Sequence, residues 1–320
     1  RKFFARPPKG FATGDLAQPL PVIYTVTEQD QEDLQPALSV LQSSSTRIEQ
    51  LTGPEVRDRV PIMSEEITAG LLDTEGFRID VGGLCEGYRR GLLARGGEIH
   101  TRERVSAAEP LAHGFKVTTD SGKDYRPARV INAAGAWGDE VADLFGATPV
   151  GLSSLRRTMI VFNPPPSVDV STWPAVGGLN GGYYFLPDAG RLMGSAADAV
   201  SSPPCDSVPE EWDIALAAHR IESATTLQVR EIVQCWSGLR TFAPDHQPVA
   251  GFDPVVRDFF WFVGQGGFGI QAGPALAKAA AYLAREQALP AEWVAAGVSA
   301  EALAPDHSGA SSCPRKIGVA

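Results

Sequence analysis

The chain has few cysteines. Cys85, Cys205, Cys235 and Cys313 are widely scattered and form no C-x-x-C pair. That spacing argues against a zinc ribbon, a thioredoxin-type site and a disulfide framework. Cys85, on an apolar helical face, and Cys235, beside Trp236, read as core fillers. Runs of Lys and Arg are also missing, and the formal net charge is −10. Nucleic acids and anionic membranes are bound through basic patches, so neither is expected as a partner. The longest apolar stretches, such as Phe259–Val263, are far too short to span a bilayer, so no integral membrane segment is expected. No signal-peptide pattern opens the chain, which makes the cytoplasm the default location. What is present, 43% hydrophobic and 21% charged residues over 320 positions, suits a globular protein with a large core.

Read in order, the chain changes texture twice. A strand is expected over Leu20–Val26, a short helix over Pro54–Val60, and a helix capped by Asp80 over Val81–Arg95. In that helix Val81, Leu84, Cys85, Tyr88 and Leu92 recur at helical spacing. Short strands follow near Glu98–His100, Val105 and Phe115–Thr118, and a helix from about Gly138 to Phe145. Beyond Gly151, strands near Thr158–Phe162, Gly182–Leu186 and Leu192–Gly194 alternate with proline-rich loops, as in an antiparallel sheet. A long helix spans roughly Pro209–Thr226 and another about Gly273–Arg285; the Ser/Gly/Pro-rich tail 306–320 is expected to be disordered. The fold class is mixed α/β. It combines a Rossmann-like nucleotide-binding domain, built from discontinuous segments, with an antiparallel-sheet substrate domain. The substrate domain takes residues 1–75 and 151–232, and the nucleotide-binding domain takes 76–150 and 233–290.

Four motifs carry chemistry. In Val130–Trp137 a strand ends in Ala133-Ala134-Gly135, small residues that let a ligand approach the backbone and equally serve a tight strand-to-helix turn. Phe259–Gln271 runs from an aromatic strand into Gly264, Gly266, Gly267 and Gly269. Mid-element glycine costs about 0.5–1 kcal/mol relative to Ala, so this concentration points to close backbone approach by a flat ligand. In Trp236–Asp245, Arg240 sits between Leu239 and Phe242 with no acidic residue before Asp245, which favours a two-pronged clamp for a carboxylate over a buried ion pair. Arg156-Arg157 is a second basic candidate that reads as a solvated pair at a strand start. In Gly181–Asp188, period-2 alternation puts Tyr183 and Phe185 on one face and Tyr184 and Leu186 on the other.

One expected element is missing. Dinucleotide-binding chains place G-x-G-x-x-G after their first strand, and residues 1–60 contain none. With Arg1 in place of an initiator Met, the expectation is the larger, C-terminal part of an enzyme lacking its first nucleotide-binding unit. In order and spacing, Ala133–Trp137, Gly238-Leu239-Arg240 with Pro244-Asp245, and Gly264–Gln271 resemble the D-amino-acid oxidase and glycine oxidase superfamily of FAD enzymes. Arg156–Pro166 and Tyr184–Gly190 are most similar to D-arginine dehydrogenase.

The resemblance implies FAD as cofactor and oxidation of an amino acid to an imino acid, which water converts to a 2-oxo acid and ammonia. It implies further that Arg240 and Arg157 hold the substrate carboxylate with help from Tyr184. The Gly238 carbonyl would accept from the substrate amine, and Gln271 would lie at the flavin–substrate junction. Val105 would sit at the adenine edge, and Ala134, Gly135 and Trp137 along the cofactor path. Gly264 would bind the cofactor as well, and backbone N–H groups from Gly266, Gly267, Phe268, Gly269 and Ile270 would face the flavin pyrimidine. No residue is implied as an acid or base and no metal is implied; the partners are the amino acid and an electron acceptor. Val22 stands where the D-arginine enzymes carry an acidic residue, and the loop Ala175–Gly178 is smaller than theirs, which implies neutral or apolar substrates. The alternatives are a sarcosine- or glycine-type amine oxidase and a ligand-binding protein that has lost flavin.

Overall fold

A computed structural model describes residues 1–43, 47–166 and 168–305. The tail expected to be disordered, with Cys313, lies outside the described residues.

The largest sheet has nine strands. From one edge they run Ile48–Thr52, Ile67–Asp73, Val22–Thr27, Ala175–Gly178, Tyr184–Asp188, Arg191–Ser195 and Ser153–Phe162. Ser153–Phe162 also pairs with Val200–Ser201 and, along its whole length, with Ile232–Phe242. All these pairings are antiparallel except that of Val22–Thr27 with Ala175–Gly178. Alternation assigns the two faces. Ile23, Ile160, Val176, Phe185 and Leu192 point to one side and pack with Ala217 and Ile221 of the helix Glu211–Ala224. The opposite side carries Val22, Tyr24, Arg157, Ala175, Tyr184 and Arg240, which are not fully buried and line a cavity.

A second sheet joins Val249–Phe252, Phe259–Val263 and Val130–Asn132, the last two in parallel. Its centre is covered on both faces, which explains the unbroken apolar run. Phe259, Trp261 and Val263 pack with Phe115 and Phe145, while Phe260 packs with Ala279 and Ala280 of the helix Gly269–Ala284. Val105–Pro110, Phe115–Thr119 and Asp124–Tyr125 form a third sheet, and Ala17–Pro19 pairs with Phe77–Ile79.

Several expectations are corrected. Glu98–His100 is not a strand: Gly96 (φ +79°) follows the helix, and His100 Nε2 and Glu98 Oε2 pair locally at 2.9 Å. Cys85 is exposed. Its helix, Val81–Leu93, buries Leu84 and Gly87 against Leu16 and Phe11, while Val81, Tyr88 and Leu92 remain exposed, so only one flank of the apolar stripe is covered. Ala175–Gly178 is a strand rather than a loop, because Val22–Thr27 supplies an edge for it to pair with. The strand expected from Thr158 starts at Ser153, just after the turn in which Asp139 accepts the N–H groups of Val150, Gly151 and Leu152 at 2.7–3.1 Å. The last long helix starts at Gly269 rather than Gly273, wound directly from a 3₁₀ turn over Gly266–Phe268. Pro274 sits in its second turn, where it removes a single hydrogen bond. The strand Ile232–Phe242, expected mostly within the C-terminal nucleotide-binding segment, belongs to the nine-stranded sheet.

Candidate active site

Strand register brings the two arginines together. Leu155 lies opposite Arg240, and Arg157 opposite Gly238, so the arginines are diagonal neighbours on one face. Alternation splits the adjacent pair Arg156-Arg157. Arg156 points to the helix side, where its Nε donates to buried Asp213 at 3.0 Å and Nη1 pairs with Glu210. Arg157 points into the cavity. The expectation of a solvated pair is thereby corrected: Arg156 and Arg157 side chains are 10% and 12% exposed, because the strand continues on both sides of them.

Each cavity arginine is held by backbone oxygens. Arg157 Nε donates to the Asp198 carbonyl at 2.6 Å and Nη2 to the Ala197 carbonyl at 3.1 Å. Arg240 Nη2 donates to the same Asp198 carbonyl at 3.1 Å. Arg240 Nε is buried and has no hydrogen-bond partner among the described residues. Burial and then the neighbouring Arg157 charge push the Arg240 guanidinium down to about 10, so it remains protonated at neutral pH. An arriving anion relieves both penalties, which is the electrostatic condition for a carboxylate clamp.

The two guanidiniums open into a cavity of about 380 Å³. Its walls are Val22, Tyr24, Ala175, Gly177 and Gly178 on one side and Tyr184, Ala197 and Gly267 on the other. The Tyr184 hydroxyl donates to Met159 Sδ at 3.0 Å, a weak acceptor, and the Arg157 guanidinium lies 5.7 Å from the Tyr184 ring centroid. Tyr183 faces away. Its hydroxyl meets Thr25 Oγ1 at 2.7 Å, and burial pushes its pKa up to about 12.

Two glycine turns flank this strand pair. The turns Gly135–Trp137 and Gly266–Phe268 both pack against Ile232–Phe242. The first is tied down by Asn132, whose Nδ2 donates to the Gly138 carbonyl at 2.8 Å and whose Oδ1 accepts the Ala134 N–H at 3.2 Å. Gly135 has φ +56°, and the space where a side chain would begin is empty. In the second turn Gly264 and Gly266 have φ +73° and +56°, a region that favours glycine. Beside them Gln265 Nε2 is buried without a partner among the described residues. At the start of the helix Gly269–Ala284, Phe268 makes no side-chain cap bond, and its own N–H donates to the Gln265 carbonyl at 3.2 Å.

The predicted residues therefore fall into three places. Arg157, Tyr184, Arg240 and Gly267 share the two-arginine cavity. Val105, Ala134 and Trp137 line a separate, apolar cavity of about 610 Å³, together with Arg104, Glu140 and Leu144. Gly264, Gly266, Phe268, Gly269 and Ile270 form the second glycine turn and its helix start. Gln271 lies exposed in that helix's first turn and is not among the residues lining the two-arginine cavity; Gly238 is opposite Arg157 with open space above it. Sequence reasoning missed Tyr24, Met159, Gln265 and the Ala197-Asp198 turn. Only Gln265, beside the glycines it interrupts, carried a local signal.

Positive-φ glycines, a Gln265 Nε2 without a partner among the described residues and a helix start with no side-chain cap fit a flat, electron-rich cofactor. Comparison with known proteins agrees. In the solved structures the fold matches glycine oxidase from Geobacillus kaustophilus (TM-score 0.74, 20% identity, 86% of this chain and 73% of that one). It also matches L-proline dehydrogenase from P. horikoshii (TM-score 0.72, 17% identity, 87% and 75%). Among curated sequences, bovine (Bos taurus) FAD-dependent oxidoreductase domain-containing protein 1 is 26% identical over 67% of this chain and 51% of its own length. Mouse (Mus musculus) mitochondrial sarcosine dehydrogenase is 24% identical over 70% and 26%. The chain thus spans about half the length, or less, of these curated relatives. The sequence profile of the DAO family, described as FAD dependent oxidoreductase, matches residues 14–283, and the chain belongs to that family.

Proposed function

We propose that this chain oxidises neutral D-amino acids, as a dehydrogenase or oxidase. The observation that carries the reading is the pair of guanidiniums, one with a buried Nε that has no partner among the described residues, lining a cavity whose other walls bear no charge. Arg240 and Arg157 grip the substrate carboxylate, and Tyr184 adds a hydroxyl that only a thioether engages among the described residues. The side chain then lies against Val22, Ala175 and Gly177, which suits alkyl groups and offers no counter-charge for a basic one. The choice of the D-series rests on the resemblance of Arg156–Pro166 to D-arginine dehydrogenases.

Fixing the carboxylate leaves the amino group to the Gly238 carbonyl, which aims Cα at the Gly264–Gly267 turn. Bound FAD supplies the two-electron acceptor for the hydride leaving Cα. Backbone N–H groups of Gly266, Gly267, Gly269 and Ile270, with the Gln265 amide, would hold the cofactor's electron-rich edge, the Phe268 N–H being engaged by the Gln265 carbonyl at 3.2 Å. Val105, Ala134 and Trp137 would line the path of its remainder, with Gly135 in the turn between the last two. Water hydrolyses the released imino acid to a 2-oxo acid and ammonia.

A second reading, oxidation of an N-methylated glycine, is supported by the sarcosine dehydrogenase likeness and by the glycine-lined wall. A substrate panel separates the two. Turnover of D-alanine and D-valine above their L-forms and above sarcosine supports the first reading. Sarcosine alone supports the second, and turnover of basic D-amino acids over neutral ones contradicts both.

A further inference from the structure

The turn Ser195–Asp198 sits beside the carboxylate clamp and has no counterpart among the sequence motifs. Three consecutive carbonyls of this turn each accept from a guanidinium. Ala196 O accepts from Arg220 Nη1 at 2.6 Å, Ala197 O from Arg157 Nη2 at 3.1 Å, and Asp198 O from both Arg157 Nε at 2.6 Å and Arg240 Nη2 at 3.1 Å. Such convergence needs an unusual backbone. Ala197 has φ +51°, in the left-handed region that non-glycine residues rarely occupy. The strain is held by side chains at both ends of the turn. Ser195 Oγ accepts the Ala197 N–H at 3.1 Å, and both Asp198 carboxylate oxygens accept the Thr158 N–H at 3.1 Å. Asp198 and Ser195 are buried, and Ser195 Oγ also donates to Asp198 Oδ1 at 3.4 Å.

We propose that Asp198 is a positioning residue, which locks this turn so that its carbonyl oxygens aim Arg157 and Arg240 at a substrate carboxylate. The chemistry explains why carbonyls do this work. A carboxylate laid directly on the clamp competes with the substrate for both guanidiniums. Carbonyl dipoles orient the same groups while leaving their charge available. The Asp198 carboxylate stands further back, its Oδ1 forming only a long ion pair of 3.8 Å with Arg157 Nε while both oxygens accept the Thr158 N–H. The inference rests on the reading of the cavity as a carboxylate site.

The test measures benzoate affinity by calorimetry and thermal stability of the full chain in wild type, Asp198→Ala, Asp198→Asn and Ser195→Ala. Hydrogen bonds to charged groups support about a tenfold or greater loss of benzoate affinity in Asp198→Ala. Asp198→Asn keeps an oxygen for the Thr158 N–H and is expected to stay within about threefold of wild type, since a neutral acceptor replaces a charged one in a single bond. Ser195→Ala removes the other anchor by deleting one hydroxyl, so it folds even where Asp198→Ala does not, and is expected to lose affinity about threefold or more for the lost bond. Arginine Nε–H resonances of Arg157 and Arg240 report the geometry without any ligand; both shift in Asp198→Ala and Ser195→Ala and stay near wild-type positions in Asp198→Asn. Lowered stability with unchanged benzoate affinity and unchanged resonances in these variants overturns the proposal. A wild-type chain that binds no benzoate overturns the carboxylate reading, and the proposal with it.

Discussion

Replacing Arg240 with Met separates binding from folding. In the folded chain the guanidinium makes one hydrogen bond, to the Asp198 carbonyl at 3.1 Å, and leaves Nε buried without a partner among the described residues. The bond contributes about 1.5–3 kcal/mol and the orphaned donor costs about 1–3 kcal/mol, so the two nearly cancel. Met fills the same channel beside Phe242 with apolar atoms, and burial no longer has to be set against a charge that sits close to Arg157. The expected change in folding stability is therefore within about 1 kcal/mol. Carboxylate binding behaves differently. Truncating one partner of a buried charge pair costs about 2–5 kcal/mol, or about 30-fold to several-thousand-fold in Kd. Chemical denaturation and benzoate calorimetry on the same samples check both halves. Destabilisation beyond about 2 kcal/mol together with unchanged benzoate affinity would make Arg240 a structural residue and remove it from the clamp.

Val22→Glu places a carboxylate on the neutral wall and is expected to raise activity toward basic amino acids while lowering it toward neutral ones, measured as the kcat/KM ratio. Gly177→Val meets only ordinary contacts at its Cβ (Tyr183 O and Tyr184 Cβ at 3.4 Å), so the fold is kept while the cavity narrows; KM for D-valine is expected to rise more than KM for D-alanine. Gly266→Ala would put its Cβ 2.6 Å from the Phe242 ring at φ +56°, so FAD retained after desalting is expected to fall with stability, by about 1–3 kcal/mol. Benzoate affinity is expected to be flat from pH 6 to 9. It should weaken only as pH rises towards about 10, where the lowered Arg240 guanidinium loses its proton; a fall centred near neutrality assigns the clamp to another group.

Local signals in the sequence reached the elements that punctuate themselves. Gly138–Phe145 is a helix over the expected span, and the glycine turn after Phe259–Val263 lies where its composition placed it. Arg240 was legible because a lone cation among apolar and small residues demands a reason. Arg157 was not, because its meaning depends on which face of a paired strand it occupies, and Arg156 beside it does a different job. The Ser195–Asp198 turn was invisible for a related reason. Ser, Ala and Asp are unremarkable in sequence, and what joins them to Arg157 and Arg240 is strand pairing across some forty residues. The exposed stripe of Val81, Tyr88 and Leu92 shows the same limit in reverse, since periodicity gave the helix and not what covers it.

The central claim is that the glycine turns hold FAD beside a clamp for an amino-acid carboxylate. Its most direct test is the visible spectrum of the FAD-loaded chain, desalted and then titrated anaerobically with D-alanine. A retained flavin band that bleaches with D-alanine, and is protected from bleaching by benzoate, is expected. A retained band that no D-amino acid or sarcosine bleaches contradicts that claim.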